Sequence, residues 1–134
     1  MFATIPITSA IYVAIHGLLA AVLTVRVILY RVKSSITAGD GGNAGLAQAI
    51  RAHANFAEQV PLALLLIVLA EMLGTPAAGI HALGAVLVIA RLFNAVGLSR
   101  SLGPTMPRQS GAGLTILVVT AASLSILYRL AMAH

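Results

Sequence analysis

At 134 residues the chain is long enough for one domain. Apolar residues make up 60% of it and charged residues only 8%, against about 25% charged in ordinary soluble domains, which excludes a water-facing surface. The net charge of +5 rests on a few groups, mostly arginine, and lacks the density of a nucleic-acid-binding face; the absence of cysteine excludes disulfides, thiolate metal sites and a cysteine nucleophile. An all-α integral membrane protein is the class that remains.

The leading segment MFATIPITSAIYVAIHG has neither a positive n-region nor a small-x-small cleavage site, so it reads as the start of a span and not as a removable signal. The first span is expected over residues 7–29, long enough for a hydrocarbon core of roughly 30 Å. Tyr12 and Tyr30 lie near its ends, where amphipathic rings favour the headgroup layer. A turn-rich segment follows, RVKSSITAGDGGNA, without the GxxxxGK[ST] or GxGxxG spacing of a phosphate loop.

The second span is expected over residues 46–73, LAQAIRAHANFAEQVPLALLLIVLAEML, apolar throughout except in its first half. Spacings of four and three put Arg51, Asn55 and Glu58 in one stripe of a helix, with His53 on roughly the opposite side. Pro61 should bend the helix or free a carbonyl near Ala57, and Glu71 is expected to be solvated at the far interface. Gly74-Thr75-Pro76 ends the segment, and so short a connection makes an antiparallel hairpin with the third span, residues 77–98. That span carries His81 early and Arg91 and Asn94 late, on one face with Leu98. After SRSLGPTMPRQ comes the fourth span, residues 110–131, whose Gly111 and Gly113 suit close helix contact.

Four spans bring both long loops to one side. Those loops and the adjoining helix ends hold Arg31, Lys33, Arg100 and Arg108, whereas the short loop has no positive charge. The positive-inside rule then predicts cytoplasmic long loops and both termini on the other side, with Arg129 weakening the contrast. On this topology Arg26, Arg51, Asn55, Glu58, Arg91 and Asn94 share one depth, where burial of such groups is costly. A pocket there with more positive than negative charge suits a small polyanion, and guanidinium forks suit its carboxylates. Each group also has a plainer reading. Arginines near helix ends snorkel, Arg51 with Glu58 makes a structural ion pair, and asparagines bond across helices. His16, His81 and His134 are too scattered for a metal site, and Asp40 is the one aspartate, which leaves no Ser-His-Asp set.

The run AIRAHANFAEQVPLALLLIVLAE, with the GDGGN loop before it and ARLFNAVGLSR after it, resembles the MAPEG family, the membrane-associated proteins in eicosanoid and glutathione metabolism. The likeness is to small bacterial members related to microsomal glutathione transferases. It implies an antiparallel four-helix transmembrane bundle in a bacterial inner membrane, assembled as a homotrimer. Glutathione, as cosubstrate, would bind between subunits, with a cleft open to membrane lipid for a lipophilic electrophile or hydroperoxide. By the resemblance Arg51, Asn55, Glu58 and Arg91 are glutathione contacts, Asn94 stands on the same third-helix face, and Arg26 or Arg31 is the first-helix arginine. Arg108, with Arg100 as the alternative, matches the arginine that stabilises the thiolate. Two departures stand out. Asn94 and Leu98 occupy third-helix positions where the family carries tyrosine, and the loop before Arg108 aligns only with a gap. A non-catalytic binding or scaffold protein is therefore the competing reading. A transporter has less support, since four short helices show no internal repeat.

Overall fold

A helix rises about 1.5 Å per residue, so apolar segments of this length each cross a bilayer once. The computed structural model describes residues 5–133 and contains α1 (Ile7–Ser34), α2 (Ala44–Met72), α3 (Ala77–Arg100) and α4 (Met106–Met132). All four are long and apolar enough to span a membrane, and no strand occurs among the described residues. Residues 1–4 of the leading segment and His134 lie outside the described residues. The helices outrun the expected spans: α1 continues past Leu29 to Ser34, and α4 begins at Met106, because Pro107 fits a first helical turn that needs no amide donor there. α2 runs unbroken through Pro61.

The loops follow from local chemistry. Gly74 adopts φ +88°, a left-handed conformation that a glycine takes without strain, and this turns the chain after α2 while the Thr75 amide donates to the Ala70 carbonyl. In the GDGGN turn, Asp40 Oδ1 accepts from the Gly42 amide, and Asn43 caps α2 by accepting from the Leu46 amide at 3.0 Å.

α2 and α3 touch across the middle of the bundle, α1 packs on one side of them and α4 on the other. α1 and α4 do not meet among the described residues. The four helices thus leave two opposite grooves, one between α1 and α3 and one between α2 and α4. The buried core is small and aliphatic: Ala63, Ile67, Ala70, Ile80, Leu87 and Val118 join α2, α3 and α4, and Leu23, Ala52, Phe56, Val60 and Leu98 join α1 to the pair. The outside is apolar as well, with Ile11, Leu18, Val22, Val25 and Leu29 of α1 and Ile116, Leu117, Leu124 and Leu127 of α4 exposed. A patch of this extent is incompatible with water and ordinary against lipid tails.

Three polar contacts stitch the short-loop end. Glu71 is buried, not solvated as its place in the sequence suggested, because α1 starts beside it. Its two carboxylate oxygens accept from the Thr8 amide at 2.8 Å and the Ser9 amide at 2.7 Å. The carboxylate satisfies amides that the first turn of a helix leaves without partners and sits at the positive end of the helix dipole. The Tyr12 hydroxyl lies 2.9 Å from His81 Nδ1 and 3.1 Å from the His81 carbonyl oxygen, and its ring covers Gly84. It seals α1 to α3 rather than reaching for headgroups. Thr75 and Ser125 hydroxyls meet at 2.9 Å.

Close approach of α3 and α4 depends on Gly111. A methyl group there would lie 2.6 Å from the Ala90 carbonyl oxygen and 2.9 Å from the Asn94 amide nitrogen, whereas one at Gly113 would meet nothing within 4 Å. Gly111→Ala is therefore expected to cost about 1–3 kcal/mol through overpacking against backbone, seen as a lower unfolding temperature in detergent. Gly113→Ala should be neutral or stabilising by up to about 1 kcal/mol; equal effects of the two would contradict the close crossing. Glu71→Ala should cost about 1.5–3 kcal/mol by orphaning one buried and one half-buried amide, and unchanged thermal unfolding would remove Glu71 from its capping role.

Candidate functional site

The site is built around one buried cation. Arg91 lies on the α3 face that meets α2 and α4 and is 3% exposed. Its Nη1 donates to Asn55 Oδ1 of α2 at 3.2 Å, and its Nη2 donates to the Gly111 carbonyl of α4 at 3.3 Å and to the Thr115 hydroxyl. Thr115 in turn donates to the Gly111 carbonyl at 2.8 Å. No carboxylate takes part. A charge in a low-dielectric interior is held here by neutral acceptors from two other helices, and Arg91 Nε has no hydrogen-bond partner.

Because a guanidinium only donates, the Asn55 atom facing it is the carbonyl oxygen, which directs the amide NH2 away from Arg91. Asn55, Arg91 and Asn94 line one interior gap of ≈ 10 Å³ together with Leu23, Ala52, Phe56 and Ala95. Asn94 is itself buried, with its backbone against Gly111.

Arg51 and Glu58, one helical face along from Asn55, pair at 3.6 Å with side chains 48% and 56% exposed. They stand on the outer side of α2. Glu58 helps to line the α2/α4 groove, a hollow of ≈ 230 Å³ shared with Gln59, Leu62, Thr115, Ile116, Val119 and Thr120. Thr115 therefore connects the exposed groove to the buried arginine behind it.

The remaining predicted residues lie elsewhere in the protomer. Arg26 faces the opposite groove, where Nη1 donates to the Ser99 hydroxyl at 2.6 Å and the guanidinium lies 5.9 Å from the Tyr30 ring centre. Arg31 holds the α1–α2 loop through the Ile36 and Gly39 carbonyls at 3.3 and 3.0 Å. Arg108 does the same for the α3–α4 loop, donating to the Leu102 carbonyl at 2.7 Å and the Gly103 carbonyl at 3.3 Å. It nevertheless precedes Thr115 by seven residues and so belongs to the same face of α4, where it passes close to Gly97 of α3. Thr115 and Ser99 escaped the sequence reading, as did the part of the Gly111 carbonyl as an acceptor for Arg91. Their signal was faint: Thr115 follows Gly111 by four residues, which places a hydroxyl on the face already marked for close contact.

Comparison with known proteins identifies the family. The MAPEG family model matches residues 9–128. The chain is 34% identical over 94 residues to the inner membrane protein YecN of Escherichia coli strain K12, covering 70% of this chain and 72% of that protein. The YecN of Escherichia coli O6:H1 strain CFT073 matches to the same extent, 34% over 94 residues. Four membrane-spanning helices, a polar lattice at one depth and a family match over nearly the whole chain lead to one assignment: this is an integral inner membrane protein that belongs to the MAPEG family.

Proposed function

We propose that the protein binds glutathione in the α2/α4 groove and activates its thiol for attack on a lipophilic electrophile or hydroperoxide. The observation that carries this reading is the Arg51–Glu58 pair, about half exposed at a depth where the surrounding surface is apolar. An ion pair left facing lipid is costly. A polar guest, covered by an adjacent copy of the chain, removes that cost, and a homotrimer supplies the cover. Glutathione offers the complementary groups. A carboxylate suits the Arg51 guanidinium, its ammonium suits Glu58, and its peptide carbonyl suits the NH2 of Asn55, whose oxygen is held by Arg91. Arg91 acts through Asn55 and is a positioning residue. The basic loops face the cytoplasm on this reading, in keeping with the positive-inside rule.

For catalysis the thiol must lose its proton. Arg108, near the start of α4, is the candidate cation for the thiolate, and using it in this way exchanges its loop carbonyls for sulfur. The thiolate sulfur then forms a bond to the electrophilic carbon and the leaving group departs with the electron pair. One observation favours a binding protein without turnover instead. α3 contains no tyrosine, with Asn94 and Leu98 at the positions concerned, and so presents no phenol to a bound thiol.

Purified protein in detergent should bind glutathione saturably, and Arg51→Ala should weaken binding at least tenfold while leaving thermal unfolding of the unliganded protein nearly unchanged. Absence of saturable binding by folded protein would remove the proposal. Ultraviolet absorbance of bound thiolate, titrated with pH, should show a thiol pKa below that of free glutathione, restored toward the free value in Arg108→Ala. Equal values in both proteins would leave Arg108 as a loop anchor, and binding without conjugation of an aryl chloride would select the non-catalytic reading.

A further inference from the structure

Both terminal nitrogens of the Arg91 guanidinium are engaged by neighbouring helices, Nη1 with Asn55 and Nη2 with Gly111 and Thr115. The third nitrogen is different. Among the described residues Nε is a buried donor without a hydrogen-bond partner. A charged N–H held away from water is costly unless a polar group stands beside it. Asn94, one turn further along α3 and 4% exposed, repeats the pattern: among the described residues its side-chain amide enters no hydrogen bond. Both residues line the gap of ≈ 10 Å³ that they share with Asn55 of α2.

Size and lining specify the occupant. One interior water needs about 10–15 Å³ and two to four polar partners, whereas a cavity walled only by Leu, Ile or Phe stays dry. The gap has that volume and three polar walls. A phosphate or a chloride is too large for it, and Arg91 repels a cation. We infer that the gap is a built site for a single water molecule, held by Arg91, Asn55 and Asn94 together. The donors and acceptors match. Asn55 commits its oxygen to Arg91 Nη1, so its amide offers the gap an N–H. Arg91 Nε–H is the second donor. The water oxygen accepts both, and one water hydrogen goes to Asn94 Oδ1, which fixes the orientation of that amide. Three hydrogen bonds is the usual number for a buried water, and these three join α2 to α3 beside the direct Arg91–Asn55 bond. The site is also reachable. Leu23, Phe56, Arg91 and Ala95 line both the gap and the α1/α3 cleft of ≈ 340 Å³, so the gap is the inner recess of that cleft. Water enters along the cleft, and the helices need not part.

This inference does not rest on the glutathione reading, since the water is expected in unliganded protein whatever that protein binds. A crystallographic or electron cryomicroscopy map of the full chain, sharp enough to show other interior waters, reads it directly. Wild type should show one peak within hydrogen-bond distance of Arg91 Nε, Asn55 Nδ2 and Asn94 Oδ1 in every copy. Asn94→Leu, close in volume but without an acceptor, should lose that peak. Two substitutions on the α2 wall of the gap provide a test that needs no map. The hydroxyl of Ala52→Ser can stand where the water stands, while the methyl groups of Ala52→Val displace it and bond nothing. Ala52→Ser should therefore unfold in detergent at a higher temperature than Ala52→Val. A map that resolves interior waters elsewhere but none in the gap would overturn the proposal, as would a peak unchanged in folded Asn94→Leu. Ala52→Val as stable as Ala52→Ser, or more so, would also overturn it, because burying methyl groups is favourable where the gap is dry.

Discussion

A guanidinium placed inside a membrane bundle has to bring its acceptors with it, because lipid supplies none. Arg91 meets this demand with Asn55 of α2 and with Gly111 and Thr115 of α4. One acceptor comes from α2 and two from successive turns of α4, so satisfying one charge on α3 fixes the rotation and depth of three helices together. Gly111 contributes twice: its missing side chain lets α4 approach the α3 backbone, and its carbonyl is then close enough to accept from Arg91. Packing and polar satisfaction are one constraint here, since a larger residue at Gly111 would move the acceptor as well as the helix.

Fixing α2, α3 and α4 around Arg91 decides what the grooves contain. On one side the stripe through Asn55 continues to Arg51 and Glu58, and Thr115 forms part of the groove wall. On the other side Arg91 borders an apolar cleft that ends at Arg26 and Arg100. The same interior residue thus lies behind two surfaces of unlike character, one with paired charge and hydroxyls, the other hydrocarbon with Arg26 and Arg100 at its mouth. Their separation follows from α1 and α4 lying on opposite sides of the α2–α3 pair.

Much of the architecture was legible because a bilayer reduces the problem to apolar length and turn chemistry. Segments of suitable length, GDGGN, and Gly74-Thr75-Pro76 mark four helices and their order, and the spacing of Arg51, Asn55 and Glu58 puts them on one face without any tertiary knowledge. What lay beyond reach was pairing between helices. Glu71 looked solvated because its partners, the Thr8 and Ser9 amides, are backbone groups on another helix and leave no trace in side-chain patterns. Tyr12 looked interfacial for a similar reason, its contact with Gly84 and His81 being a matter of how α1 rests on α3. Shared depth suggested that Arg26 and Arg51 gather in one pocket. Depth says nothing of azimuth, and within the protomer they stand on opposite sides.

The two ends of the bundle are held by different means, and that asymmetry bears on where function belongs. At the short-loop end, contacts run between helices: Glu71 to the start of α1, Tyr12 to His81, Thr75 to Ser125. At the basic-loop end one bond between side chains, Arg26 to Ser99, ties α1 to α3, while Arg31 and Arg108 bond carbonyls of their own neighbouring loops. Local bonds of this kind can open without disturbing the helix core, since regions held by few long-range contacts open at lower free energy than the global fold. Both grooves carry their arginines toward this less tied end. The Arg31 and Arg108 guanidiniums are released at the cost of loop hydrogen bonds alone, while the buried Arg91 lattice keeps the helices in place.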